Sequence, residues 1–478
     1  MISFPESLPR IIQGGMGVAV SNWRLANAVG RMGQIGVVSG TMLDTVLVRR
    51  LQDGDPGGHV RRAIAHFPIS GVGDEIIGRY FNPLGRAPGT PYKTLPMYKQ
   101  VVSVARQRVT VLANFVEVWL AKEGHSGTIG INLLTKVQMP NLASLYGAML
   151  GDVDVVIMGA GIPREIPGVL DAFTEHRPAK LRFEVEGLGR EESMDLAFDP
   201  AEHWEQPGRP LRRPLFFPVV SAASLAATLA RKSNGRVDGF VVEGPTAGGH
   251  NAPPRGALQL NSIGEPVYGE RDVVDLEKMR ELGLPFWLAG GTGSPEALES
   301  ALAAGAAGIQ VGTLFAYCEE SGLDPVVKQR VLAAVVAGEA TLRTDPRASP
   351  TGYPFKIVEL PGDAEQAAAR TRSCDLGYLR VAVRSESGRV FYRCSAEPVD
   401  AYVAKGGAIA DTDGRRCLCN GLTASVGQAQ WRASDGAAEV TLVTSGDDVL
   451  ALGAFARAHP VYTAADVIAH LSASVSVE

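Results

Sequence analysis

The feature that most constrains this chain is a repeated alternation of short apolar runs and helical patterns up to about residue 318. Each run is apolar or β-branched, ends near Gly, Ser, Asn or Glu, and leads into a helical pattern. Continuous apolar runs are typical of parallel strands buried on both faces, and their alternation with helices is typical of βα units. Eight strands, which suit a closed barrel, are predicted: Arg10–Gln13, Ile35–Ser39, Thr128–Leu133, Val153–Met158, Phe216–Ser221, Gly239–Glu243, Phe286–Ala289 and Gly308–Val311.

The length of the chain predicts more than this barrel, because 478 residues exceed what one core usually organises. We predict an α/β fold with a (β/α)₈ TIM barrel over residues 1–344, interrupted by insertions at about 53–112 and 180–214. Insertions of this length usually carry lids or substrate walls. A turn-rich segment after Thr344 predicts a small α+β region over residues 345–478, placed to cap the active site.

Composition excludes several classes of partner. Hydrophobic residues make up 45% of the chain and charged residues 20%, the net charge is −5, and no long Lys/Arg run occurs. This balance gives no electrostatic footprint for nucleic acid or for an anionic membrane. The first residues lack the pattern of a signal peptide, and no 18 uninterrupted apolar residues occur, so we expect a cytoplasmic protein. The oligomeric state stays open, with a homodimer as one alternative.

A phosphate site is the strongest functional signal, and it lies between Pro285 and Ala316. The seventh predicted strand ends in Gly290-Gly291-Thr292-Gly293, and the eighth ends in Gly312-Thr313. Such turns expose backbone N–H groups, and (β/α)₈ barrels often bind phosphate after strands seven and eight. The alternative is that these glycines only make tight barrel turns.

A histidine follows the sixth predicted strand in a glycine-rich loop. His250 is flanked by Gly248-Gly249 and Asn251 rather than by an apolar face. Because the ordinary pKa of histidine lies near neutral pH, a histidine presented at the catalytic face suits general acid or base work. We interpret His250 as the catalytic candidate, with a structural histidine as the alternative.

These motifs resemble the nitronate monooxygenases, also called 2-nitropropane dioxygenases, and the related FMN-dependent enoyl-ACP reductases. The resemblance covers about residues 8–317 without the insertions. The matching elements are Gln13-Gly14-Gly15-Met16-Gly17, Gly36–Gly40, Gly130-Ile131-Asn132-Leu133, Gly159–Pro163 and Gly244-Pro245-Thr246-Ala247-Gly248-Gly249-His250. Family members are FMN-binding (β/α)₈ barrels, so the resemblance implies the same fold and cofactor here.

The resemblance also implies roles for single residues. His250 would be the catalytic base, and the loops after the last two strands would hold the FMN phosphate. The residues expected to bind the cofactor are Gly15, Met16, Gly17, Asn132, Ser221, Glu243, Gly248, Gly249, Gly290, Gly291, Gly293, Gln310, Gly312 and Thr313.

The chain also departs from the family pattern at the substrate side. The family usually has Gly two residues after the histidine, where this chain reads His250-Asn251-Ala252-Pro253-Pro254. Glu243 stands where an uncharged residue is common. The fold and the cofactor therefore transfer to this chain more directly than the substrate does.

We expect an FMN-dependent oxidoreductase that oxidises a nitroalkane, a nitronate or a similar acidic-carbon substrate with O₂. The alternative is an NAD(P)H-dependent enoyl (C=C) reductase, in which the insertions would receive a carrier-bound acyl chain. Two further alternatives are a phosphate-binding isomerase or lyase without flavin and a binding module without catalysis.

Four of the five cysteines lie close together in the last third of the chain: Cys374, Cys394, Cys417 and Cys419. Four thiols can bind Zn²⁺, but this spacing fits no standard zinc finger. We favour buried free thiols, because cysteine is among the most buried residue types, and we predict no metal.

Overall fold

Eight parallel strands form the centre of the computed structural model, which describes residues 8–204 and 208–473. All eight predicted strands are confirmed, with ends that differ by a residue or two. Their bounds are β1 Ile11–Gln13, β2 Gly36–Ser39, β3 Ile129–Leu134, β4 Val155–Gly159, β5 Leu215–Val220, β6 Phe240–Glu243, β7 Phe286–Ala289 and β8 Gly308–Val311.

The sheet closes on itself. Its strand order is β1-β8-β7-β6-β5-β4-β3-β2, with every neighbouring pair parallel. The two ends of this order meet where Ile12 bridges Ile35, next to a 2.9 Å hydrogen bond from the Gln13 N–H to the Ile35 carbonyl oxygen. The predicted (β/α)₈ barrel is therefore confirmed.

Large side chains fill the interior of the barrel. Phe217 stacks on Trp287 with ring centroids 5.1 Å apart, and both are fully buried. The Trp287 Nε1–H donates to the carbonyl oxygen of Pro9, just before β1. Because this core seals the amino ends of the strands, a ligand can approach only their carboxyl ends.

Helices surround the barrel and extend into the insertions and the appended region. Within the described residues, no helix is long and apolar enough to cross a membrane. The helices are Trp23–Arg31, Leu43–Gln52, His59–Ile64, Val72–Tyr80, Val104–Lys122, Asn141–Leu150, Ile166–Thr174, Ala223–Lys232, Leu276–Arg280, Pro295–Ala303, Thr313–Ala316, Pro325–Ala337, Asp363–Ala369, Val399–Ala404, Leu418–Ala424, Asp448–Ala458 and Ala464–Leu471. Ser294 caps the helix Pro295–Ala303, since its side chain accepts the Ala297 N–H.

The two predicted insertions have structure of their own. The first contributes short helices and the start of the long helix Val104–Lys122, which packs on the outside of the barrel against Asn141–Leu150. The second forms an antiparallel hairpin of Ala179–Phe183 with Met194–Phe198. Between these strands, Val185–Glu186 pairs with the appended region.

Residues after 344 contain short antiparallel strand pairs together with helices. The pairs are Thr341–Asp345 with Phe355–Glu359, Val381–Arg384 with Val390–Arg393, and Trp431–Arg432 with Ala437–Ala438. The mixture of short strands and helices agrees with the α+β character expected from the sequence, and the helix Ala464–Leu471 is the last one described.

A buried carboxylate links barrel, first insertion and appended region. Asp44 accepts from Arg106 Nη2 at 2.8 Å, from Thr110 Oγ1 at 2.8 Å and from the hydroxyl of Tyr378. Burial opposes ionisation of Asp44, but the Arg106 guanidinium and these hydrogen bonds hold the pKa of the carboxyl below its ordinary value. The group therefore stays ionised and joins three segments that are distant in sequence.

We predict that Asp44→Asn lowers the free energy of unfolding by about 3–5 kcal/mol, because the Arg106 charge would remain buried without its counter-ion. Urea unfolding of the purified protein measures this change. Arg177→Ala is the control, since the Arg177–Glu175 pair is exposed and should contribute at most about 1 kcal/mol. An Asp44→Asn protein as stable as the control would contradict the prediction.

Candidate functional site

A cavity opens at the carboxyl ends of the barrel strands. It encloses about 1230 Å³ of space between protein atoms, counting its open mouth. Asn132 of β3, Glu243 of β6 and Gln310 of β8 line it, together with turns that follow the other strands. Its position is the one at which (β/α)₈ barrels carry their active sites.

The structure brings most of the predicted site residues together. Those that line this cavity are Gly15, Met16, Gly17, Asn132, Glu243, Gly248, Gly249, His250, Gly290, Gly291, Gln310, Gly312 and Thr313. Ser221 lines an adjoining cavity instead. Gly293 lies behind the wall, where an added Cβ would be 2.7 Å from Leu314 Cδ1 and 2.9 Å from Asp448 Oδ2.

Glycine is required at the first turn because β3 approaches it closely. A Cβ added to Gly15 would lie 2.3 Å from Cβ of Asn132. A side chain at position 15 would therefore displace Asn132. Because Gly15 has none, the backbone of the first turn is open to the cavity.

The turn after β7 has the backbone conformation of an anion-binding loop. Gly290 and Gly291 have φ of +92° and +68°. A Cβ on Gly290 would also lie 2.7 Å from the backbone nitrogen of Ala247. Glycine at position 290 thus satisfies two constraints, a left-handed φ and close packing against the histidine loop.

An acidic side chain already uses N–H groups of this turn. The carboxyl group of Asp448 accepts backbone hydrogen bonds from Thr292 and Gly293, and burial raises its pKa above the ordinary value. Asp448 also lines the cavity. Two N–H donors of the turn are therefore bonded to a carboxyl group from the appended region, and phosphate binding by this turn stays a prediction.

One buried acceptor in the cavity wall has no partner within the described residues. Gln310 Oε1 is buried without a hydrogen bond in residues 8–204 and 208–473. Since an unpaired buried acceptor destabilises a fold, a hydrogen-bond donor on a bound ligand would satisfy it.

The histidine loop is held by the appended region. Gly249 and His250 pair in antiparallel fashion with Lys356 and Phe355, and His250 Nε2 lies 2.7 Å from Ser349 Oγ. The imidazole also meets the Phe355 ring edge-on, with centroids 4.9 Å apart. Burial lowers the pKa of His250 to about 4, so at neutral pH the ring is uncharged.

The carboxyl group of Glu243 faces the same cavity. Burial raises its pKa to about 7, while the nearby Lys356 opposes this rise. The side chain is therefore partly protonated near neutral pH, and in that form it can donate a hydrogen bond.

Sequence reasoning did not find the wall that the appended region supplies. Thr444 Oγ1 accepts the Gly249 N–H at 2.8 Å, and a Cβ on Gly248 would lie 2.7 Å from the Ser445 carbonyl carbon. Thr444, Ser445 and Gly446 all line the cavity. The Ser-Gly turn before the helix Asp448–Ala458 is the sequence feature that marks this wall. Because the turn is far from the barrel in sequence, its position at the cavity could not be predicted.

A second cavity of about 940 Å³ adjoins the first. Both are lined by Val219, Glu243 and His250. Arg255 and Tyr268 line only the second cavity. His250 and Glu243 thus stand between the two spaces.

Comparison with known proteins gives a match in the part of the chain that carries the histidine and both glycine turns. The family model described as Nitronate monooxygenase matches residues 211–347. This part of the chain is related to the nitronate monooxygenases. The resemblance predicted from the sequence is therefore confirmed over these residues.

Two curated relatives match segments of similar size. A probable nitronate monooxygenase of Bacillus subtilis is 35% identical over 116 residues, which are 24% of this chain and 31% of that protein. A (3aS,4S,5R,7aS)-5-hydroxy-7a-methyl-1-oxo-octahydro-1H-indene-4-carboxyl-CoA dehydrogenase of Mycobacterium tuberculosis is 33% identical over 142 residues, 30% of this chain and 34% of that protein. The aligned segments thus span about a third of these nitronate monooxygenase and dehydrogenase relatives.

Among solved structures, FabK from Thermotoga maritima aligns with 98% of this chain and 92% of its own, at 16% identity and a TM-score of 0.45.

We predict that the His250 imidazole titrates near pH 4 rather than near the ordinary value of about 6.5. Burial disfavours the charged ring, so the neutral form should persist through weakly acidic pH. An NMR titration of the histidine ring protons measures this, and the spectrum of His250→Gln assigns the signal. A midpoint for His250 in the ordinary range would contradict the prediction.

Proposed function

We propose that this protein is a flavin-dependent oxidoreductase that binds FMN in the cavity at the carboxyl ends of the barrel strands. The observation that carries the proposal is the convergence of the glycine turns after β7 and β8 with the neutral His250 on one cavity. The match to the nitronate monooxygenase family over residues 211–347 supports it.

The residues around the cavity fit such a cofactor. The turns at Gly290-Gly291 and Gly312-Thr313 would hold the phosphate through backbone N–H groups. The unpaired Gln310 Oε1 would accept a hydrogen bond from the cofactor. Because Gly15 has no side chain and packs closely on Asn132, the space beside these two residues stays free for the cofactor. When bound, the flavin supplies the electron-accepting chemistry, which is the cofactor's own.

The charge of Asp448 would also affect binding of the phosphate. Its carboxylate shares the N–H groups of Thr292 and Gly293, so an ionised Asp448 would repel a phosphate placed beside it. The raised pKa of Asp448 reduces this repulsion, since the protonated form is favoured by burial.

We propose that the substrate has an acidic carbon, as a nitroalkane or nitronate has, and that O₂ is the final oxidant. His250 would remove the proton with its neutral ring, and its contact with Ser349 would keep the ring oriented. Glu243, when protonated, would donate a hydrogen bond without adding a negative charge beside an anionic substrate. The appended region, through Phe355 and Thr444, would cap the site and limit the entry of water.

A second candidate is the reduction of a C=C bond in a carrier-bound acyl chain with NAD(P)H as the donor. The second cavity favours this candidate, because about 940 Å³ of space next to His250 and Glu243 exceeds what a small nitroalkane needs. The similarity to a dehydrogenase whose name includes a CoA thioester is in line with it.

The flavin proposal predicts that the purified protein is yellow and releases FMN on heating, identified by chromatography. Gly290→Ala should weaken FMN binding by about 10- to 100-fold, since a Cβ at φ +92° is strained and meets the Ala247 nitrogen. Gly283→Ala is the matched control, because Gly283 also has a positive φ of +67° but an added Cβ meets no atom within 4 Å. A colourless wild-type protein that binds no added FMN would contradict the flavin proposal.

Substrate class can be tested with His250→Ala. If His250 is the base, kcat/KM for a neutral nitroalkane should fall by about 10²–10⁴-fold. With the preformed nitronate, whose proton is already absent, the decrease should be much smaller, and oxygen uptake measures both. Rapid anaerobic flavin reduction by NAD(P)H, with turnover only on an enoyl thioester, would instead establish the second candidate.

A further inference from the structure

Four cysteines from separate segments of the appended region line one small cavity. Cys374, Cys394, Cys417 and Cys419 line a cavity of about 300 Å³, counting its opening to solvent, and apolar residues such as Leu376 form much of the remaining wall. The fold, rather than the local sequence, brings these thiols together.

Hydrogen-bond donors point at three of the four sulfur atoms. Backbone N–H groups of Ala396, Asn420 and Tyr378 donate to the sulfurs of Cys394, Cys417 and Cys419 respectively. The Asn420 side chain adds a second donor to Cys417, 3.5 Å from Sγ. A neutral thiol is a weak acceptor, whereas sulfurs that bind metals are typically surrounded by such donors.

The four thiols are mutually close enough to interact electrostatically. Each of the other three thiols acts on Cys419, and two arginines lie near the group, Arg380 beside Cys374 and Arg370 beside Cys417.

We propose that Cys374, Cys394, Cys417 and Cys419 together bind a metal centre as four thiolates. On binding, each thiol releases its proton to solvent and its sulfur forms one bond to the metal. All-thiolate sets of four are characteristic of Zn²⁺ and of iron–sulfur clusters.

The experiment, rather than the present side-chain positions, distinguishes a single ion from a cluster. As the side chains stand, residues 8–204 and 208–473 contain no group of three or more His, Cys, Asp or Glu side chains that could hold a metal ion. Binding would therefore require the four cysteine side chains to turn toward a common centre from their places around the cavity.

The centre would also support the candidate active site. Cys417 and Cys419 lie at the start of the helix Leu418–Ala424, in which Leu422 lines the main cavity. Leu418 belongs to the same hydrophobic cluster as Phe355, the strand partner of His250. A metal bound by the four thiols would thus fix the segments that hold the histidine loop.

The test measures the metal and acid-labile sulfide content of full-length protein purified without oxygen. About two to four iron atoms per chain with matching sulfide would establish a cluster, and about one zinc per chain without sulfide would establish a single-ion site. Either result supports the four-thiolate centre. Wild-type protein that contains neither, and that takes up neither Zn²⁺ nor iron with sulfide, would overturn the proposal.

Single Cys→Ser variants at the four positions should each lose or greatly reduce the metal. Cys318→Ser is the matched control, because Cys318 is the one other cysteine, is buried as Cys394 and Cys419 are, and donates to the Phe315 carbonyl oxygen in the barrel part. Its metal content should equal that of wild type. Full metal content in all four variants, or equal loss in the control, would overturn the assignment, and the wild-type measurement remains decisive where a variant does not fold.

Discussion

The antiparallel pairing of Gly249–His250 with Phe355–Lys356 is the interaction on which the candidate site depends. The barrel alone would present His250 on a glycine-rich loop with little to fix the ring. Two strand residues from the appended region give the loop a register, and Ser349 and Phe355 then orient the imidazole. The position of the His250 ring is therefore a tertiary property of two parts of the chain.

This dependence explains why the electrostatics of the site differ from those of an exposed barrel mouth. Once the appended region covers the loop, His250 loses solvent and stays neutral, while Glu243 loses solvent and keeps its proton more readily. Burial thus lowers the pKa of His250 and raises the pKa of Glu243. For both side chains the uncharged form is more populated than it would be in water.

The sequence predicted the barrel well because its signals are local. Each buried strand is a continuous apolar run, and the glycine turns after Ala289 and Val311 follow their strands directly. Most of the predicted site residues share one cavity for the same reason, since parallel strands in a barrel end at the same face.

What the sequence did not reveal depends on long-range contacts. Nothing near Thr444 indicates that it reaches the histidine loop, and nothing near Asp448 indicates that it reaches the turn after β7. Nothing near Cys374 indicates that it shares a cavity with Cys419. Ser221 was predicted at the cofactor, but it lines the adjoining cavity because its strand ends at the boundary between the two spaces. Such positions depend on how the appended region folds back onto the barrel. The periodicity of the sequence carries no information about that long-range packing.

The carboxyl group of Asp448 has one more consequence. In the absence of an external anion, the N–H groups of Thr292 and Gly293 would be buried donors without acceptors, and Asp448 supplies them with an internal substitute. The turn can then keep its ligand-binding shape while empty. An incoming dianion would make ionised Asp448 a like-charged neighbour, so occupancy of the turn and proton uptake by the protein would be thermodynamically linked.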